Sequence, residues 1–239
     1  MEARNYDHLI KQTGCLKKDS TICYKMYLLD CCPKNHFFNL IQNLNLYKSL
    51  IELYKLQYEY TDQILQANNI NESNILQFYT FYFNKYNYTK IALNIAKNKN
   101  EELEIGSIAI ITKESDTTLK IYNVFTMPSY RENGLCSIMI GILLDNCYNE
   151  LNYELVDQQI LNITLDVLFD NVPAISCYEK YGFELIRISA IPNNKLCIMD
   201  LNFRKYFLYQ IKSKILKLSS QLIKDQKLKN QINILLTKI

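Results

Sequence analysis

The chain has 239 residues, 49% of them hydrophobic and 21% charged, with a net charge of +3. That balance excludes a disordered polyelectrolyte and supplies enough apolar side chain for a sizeable core. Residues 1–20 mix charges without an apolar h-region, and no run of about 18 apolar residues occurs, so a secretory leader and a membrane-spanning helix are not expected and the cytoplasm is the expected location.

Residues 1–33 show little pattern, although Thr21–Leu29, rich in aromatic and β-branched side chains, reads as a strand. From Phe37, apolar residues at Leu40, Leu44, Tyr47, Ile51, Tyr54 and Tyr58 recur at three- and four-residue steps, one face of a long helix or a helix pair. A polar break spans Asn68–Asn74, and Ile75–Phe83 fits a strand or a short helix. Past Tyr88 the period shortens. Ile91–Ala96, Ile105–Thr112 and Leu119–Met127 are strand-like runs parted by polar turns, as in an antiparallel meander. Pro128 stops the third strand, and a helix is expected from near Arg131 to about Tyr148. Ile160–Leu168 is almost wholly apolar and is expected to be a central strand. A helix over Val172–Tyr181 stops at Gly182, and strands near Phe183–Ser189 and Lys195–Phe203 complete an α+β layout.

Residues 204–239 differ in charge from the rest. They hold nine Lys/Arg and one acid, net +8, against net −5 for the remainder. Apolar residues from Leu208 to Ile239 keep near-heptad spacing, so this is a basic amphipathic helix. It can pack on its own domain, pair in a homodimer, or lie on an anionic membrane or nucleic acid; packing is the expected reading.

The eight cysteines form no C-x-x-C pair, and the histidines, His8 and His36, are not at metal spacing. No metal is expected, and the cysteines are expected to be free thiols in a reducing compartment. The N-x-S/T sequons at Asn71, Asn87 and Asn162 then carry no meaning.

The stretch from Val124 to Ser137, VFTMPSYRENGLCS, carries the chemistry. A strand ends, a proline breaks the ladder, and R-E-N-G-L-C opens a helix. Such a turn leaves backbone N–H groups aimed outward where the macrodipole favours an anion. Gly134 permits close backbone approach and Arg131 adds charge; alone, these would describe an ordinary turn. A second stretch, Asn171-Val-Pro-Ala174-Ile-Ser-Cys-Tyr178-Glu-Lys-Tyr-Gly182-Phe183, follows the Ile160–Leu168 strand.

Together these stretches resemble the two signatures of the GNAT superfamily of acyl-CoA-dependent N-acetyltransferases. Arg131-x-x-Gly134-x-Cys136 is similar to its Q/R-x-x-G-x-G/A acyl-CoA loop, with Cys136 where Gly or Ala is usual. Asn171 to Phe183 is similar to its N-x-x-A-x-x-x-Y-E-K-x-G-F segment. The resemblance covers about residues 88–203. It implies a GNAT-like fold, a mostly antiparallel central sheet with helices on both faces. Residues 1–87 would supply the acceptor side, 88–203 the acyl-CoA-binding core, and 204–239 a helical extension.

The resemblance also implies roles. Acetyl-CoA would be co-substrate, held by the backbone of Phe125, Thr126 and Met127, by Arg131, Glu132, Asn133, Gly134, Leu135, Cys136 and Ser137, and by Asn171 and Tyr178. A primary amine would attack the thioester directly, with Tyr178 as general acid toward the leaving thiolate. Either Asp166 or a water would serve as base; a charge in an apolar strand is costly unless solvated or paired. Asn171 equally suits a helix N-cap. Cys177 is expected to pack rather than act as nucleophile, since no histidine stands nearby in sequence. The amine could be a small molecule or a protein amine. The alternative is a catalytically silent GNAT-fold module working through its basic C-terminal helix.

Overall fold

The computed structural model describes residues 10–30, 45–53, 56, 89–97, 100–154, 162–191, 194–203, 205–206, 208–210, 213 and 230. Within them, β1 (Ile10–Cys15) and β2 (Cys23–Asp30) are followed by a helix, α1 (residues 45–53). Then come β3 (Thr89–Lys97), β4 (Leu103–Lys113), β5 (Thr118–Thr126), α2 (Leu135–Glu154), β6 (Asn162–Leu168), α3 (Val172–Glu179), β7 (Glu184–Ile191) and β8 (Asn194–Asn202). The strands form one sheet in the order β1-β2-β3-β4-β5-β6-β8-β7. Every neighbouring pair is antiparallel except β5 and β6. The α+β fold and the mostly antiparallel sheet expected from sequence are thus present.

Burial explains the arrangement. On β4, residues 105–112 are all buried with no alternation, so the middle of the sheet is covered on both faces. Helix α2 packs against β2 through β5 with Leu135, Met139, Ile140, Leu143, Leu144 and Cys147. Standing at i, i+4, i+5, i+8, i+9 and i+12, they form one buried stripe along the helix. Helix α1 adds Leu46, Leu50 and Leu53, and each such buried Leu or Ile contributes about 2 kcal/mol.

Two bulges shape the sheet. Asn94 pairs with Ser107 and Ile95 with Ile105, so Gly106 is the extra residue. The freed Ile105 N–H donates to Ser49 Oγ on α1 at 2.7 Å. A second irregularity lies in β5, where Asn123 has φ of 51°. It follows directly on the last rung shared with β6, Ile121 opposite Leu165. A bulge bends and twists its strand, and beyond this one β5 and β6 no longer pair, which opens the sheet between them.

Three expectations change. Residues 10–15, unreadable in sequence, form an edge strand. The helix expected from near Arg131 begins at Leu135, after a 3-10 turn over Pro128–Tyr130 and a loop. Cys15 and Cys23 are not free thiols but a disulfide, facing each other in the β1–β2 register with Cα atoms 3.9 Å apart. Cys136, Cys147, Cys177 and Cys197 are not disulfide-bonded. Ile75–Phe83, the boundary near residue 87, and Cys31 and Cys32 lie outside the described residues. So does most of the basic segment 204–239, whose described positions 205, 206, 208–210, 213 and 230 are helical.

Candidate functional site

The loop Arg131–Gly134 lies between the end of β5 and the start of α2. Gly134 has φ of 80°, a left-handed conformation natural to glycine. Glu132 takes φ of 62° without that freedom, at a cost of about 1 kcal/mol or more. The loop is held from within by Asn133, which is buried. Its Nδ2 donates to Tyr130 O at 3.1 Å and to Arg131 O at 3.0 Å. Gly134 O accepts the Ile138 N–H at 3.1 Å, which makes Gly134 the N-cap of the helix that begins at Leu135. The N–H groups of the first turn therefore have no intrahelical acceptor, and no acid stands in that turn. An anion is favoured here.

Arg131 folds back toward β5. Its Nε donates to Thr126 O at 3.1 Å and its guanidinium lies 5.7 Å from the centre of the Phe125 ring. Met127 N–H donates to Gly106 O at 2.9 Å and its carbonyl accepts from Tyr130 N–H, so that N–H is engaged inside the fold. Tyr130 is buried, with its hydroxyl donating to Glu104; burial and that carboxylate push the phenol pKa far up.

Helix α3 brings the second group of residues to the first turn of α2. Asn171 caps α3, its Oδ1 accepting from Ala174 N–H at 3.3 Å. Tyr181 donates its hydroxyl to Ser137 O and accepts from Ser137 Oγ at 3.1 Å. Gly141, one turn further along α2, leaves the space: a Cβ there would stand 2.9 Å from the Tyr181 hydroxyl. The Cys136 and Cys177 thiols are neighbours, and each acts on the other: the pKa of Cys177 is lowered, helped by Lys180, and that of Cys136 is raised. Tyr178 is 4% exposed, with Phe183 edge-on at 6.1 Å. Burial first, then Cys136 and Cys177, hold its phenol well above the ordinary value of 10. A phenol so placed keeps its proton and remains a donor.

Asp166 stands on β6 just past the last rung shared with β5. Its carboxylate pairs with Lys120 Nζ on β5 at 2.8 Å. A partner thus compensates the charge that looked costly in an apolar strand, and the side chain is 32% exposed. Lys120 escaped the sequence reading because the pairing of the two strands decides it. The structure brings Tyr178, Cys177 and Cys136 together at the start of α2; Asp166 lies on the strand that forms the far side of the opening.

Residues 47–183 match the family described as Acetyltransferase (GNAT) family. The chain belongs to that family. No curated protein matches the chain in sequence. Among solved structures, one neighbour is an acetyltransferase from Streptococcus agalactiae 2603, 16% identical, covering 74% of this chain and 98% of its own, with TM-score 0.49. A spermidine N-acetyltransferase from Vibrio cholerae, solved with CoA and spermine, is 14% identical, covering 76% of this chain and 97% of its own, TM-score 0.49. The ribosomal-protein-S18-alanine N-acetyltransferase from Escherichia coli is 20% identical over 46% of this chain and 68% of its own, TM-score 0.36. The family uses acetyl-CoA. Among the described residues, no helix is long and apolar enough to cross a membrane, and no group of three or more His, Cys, Asp or Glu is placed to hold a metal ion.

Proposed function

We propose that the protein is an N-acetyltransferase that moves an acetyl group from acetyl-CoA to a primary amine within a ternary complex. The observation that carries this reading is the loop Arg131–Gly134, stapled by buried Asn133 so that a helix N-terminus faces outward, with a buried, proton-retaining Tyr178 beside the same helix turn. The diphosphate of the co-substrate would rest on the loop, and its pantetheine arm would run into the opening between β5 and β6.

In the reaction the amine nitrogen bonds to the thioester carbonyl carbon and the C–S bond breaks. The leaving thiolate takes the Tyr178 proton, which solvent restores. The proton lost from the amine passes to Asp166 or to water. Cys177 has a thiol partner rather than a histidine, which supports packing over nucleophilic catalysis.

Thermal-shift titration of the full chain with acetyl-CoA, CoA and ATP tests the reading, since a ligand bound only to the native state raises the melting temperature. The CoA compounds should stabilise the protein, the shift should collapse in Arg131→Glu, and CoA release should follow on addition of an accepted amine. No shift with any CoA compound would overturn the proposal.

A further inference from the structure

The β1–β2 hairpin and the phosphate-binding loop are more than a hundred residues apart in sequence, yet the hairpin tip is built onto the loop. The tip is rigid. The Cys15–Cys23 disulfide closes its base, Leu16 N–H donates to Ile22 O at 2.9 Å, and Asp19 accepts from the N–H and hydroxyl of Thr21. Two contacts join it to the loop. The Lys18 N–H donates to Oδ1 of buried Asn133 at 3.0 Å, and the Lys18 ammonium pairs with Glu132. That pair lowers the Glu132 pKa and neutralises a carboxylate that would otherwise repel an anion on the loop.

The neighbouring lysine is differently placed. Lys17 Nζ lies 3.9 Å from the point where a Cβ on Gly134 would stand, directly over the start of α2. Among the described residues it has no ion-pair or hydrogen-bond partner. Arg131, the cation that the sequence offers, has its Nε turned to Thr126 O. The N–H groups of the helix turn and an ammonium with no partner among the described residues therefore lie close together at Gly134, and the hairpin that delivers the ammonium is fixed by a covalent bond and by the loop's own staple.

We propose that Lys17 contacts the diphosphate of coenzyme A, carried over the loop by the disulfide-closed hairpin, with Lys18 holding Glu132 out of the way. This rests on the acyl-CoA reading above and adds to it a residue from the first strand pair. The diphosphate rather than the 3′-phosphate is named because the ammonium stands over Gly134, where the helix N–H groups point.

The test compares the wild type with Lys17→Ala and Lys17→Glu in the full chain, by calorimetric titration with acetyl-CoA, acetyl-dephospho-CoA and acetyl-pantetheine. Lys17→Ala should weaken acetyl-CoA and acetyl-dephospho-CoA alike, by about three- to tenfold for one partly solvated charge contact, and Lys17→Glu by more. Acetyl-pantetheine, which has no phosphate, should bind both variants as it binds the wild type. Unchanged acetyl-CoA binding in both variants would overturn the inference. So would a loss confined to acetyl-CoA, which assigns Lys17 to the 3′-phosphate, or an equal loss with acetyl-pantetheine, which assigns it to the fold. Failure of the wild type to bind acetyl-CoA would instead refute the acyl-CoA reading itself.

Discussion

Replacing Tyr178 by Phe separates its chemistry from its packing. The ring is 4% exposed and meets Phe183 edge-on at 6.1 Å. Truncation to Ala would remove a buried aromatic at a cost of about 3–5 kcal/mol and confound any rate measurement. Phe keeps the ring, its burial and the edge contact, so the fold should lose no more than about 1 kcal/mol, or about 2–4 °C in melting temperature for a chain of this size. Loss of a general acid slows chemistry by about 10²- to 10⁴-fold, which is about 2.7–5.4 kcal/mol of barrier. Single-turnover CoA release, followed by chromatography, reads that step free of product dissociation. Affinity for acetyl-CoA should hold. The pH profile supplies a second check. Burial and the two neighbouring thiols raise the Tyr178 pKa well above 10, so the acid form persists as pH rises and Tyr178 should add no falling limb below about pH 10. A rate within threefold of wild type in a folded Tyr178→Phe would refute the assignment. A falling limb near pH 8–9 that vanishes in the variant would refute the electrostatics.

Two further outcomes follow. Asp166→Asn should lower single-turnover rate by about 100-fold with acetyl-CoA affinity unchanged if this carboxylate takes the amine proton; a drop under threefold means that water does, and that the pair with Lys120 is structural. Gly106→Ala would place a Cβ 2.5 Å from Asn94 Oδ1 and 3.1 Å from the Tyr130 ring. It should cost about 1–3 kcal/mol, seen as a melting temperature lower by several degrees and partly restored by Asn94→Ala; melting within 1 °C of wild type would show that the bulge yields easily.

From β3 onward the strands were legible because their apolar runs are long and bounded by polar turns, and each of the two signatures is one contiguous stretch of sequence. Edge strand β1 was not. Of Ile10–Cys15 the exposed residues Lys11, Gln12, Thr13 and Cys15 outnumber the partly buried ones, so no apolar alternation marks the strand. The disulfide was missed for a related reason. Cys15 and Cys23 face one another through the hairpin register, which eight residues of spacing do not reveal, and a compartment rule weighed against it.

The start of α2 shows a different limit. Glu132 is an ordinary helix residue by propensity, yet it sits at φ of 62° because Asn133 and Lys18 hold the loop on either side of it. Local propensity at Glu132 therefore favours one more turn of helix, and the Asn133 staple together with the Lys18 contacts from over a hundred residues away keeps the turn open. The same long-range geometry sets the charge of the site. Read along the chain, the loop offers Arg131 and Glu132, which cancel. Read in space, Glu132 is neutralised by Lys18, Arg131 turns toward Thr126 O, and Lys17 stands over Gly134. If the proposals above hold, the loop motif specifies where an anion sits, and the β1–β2 hairpin, which carries no signature of its own, sets how strongly it is held.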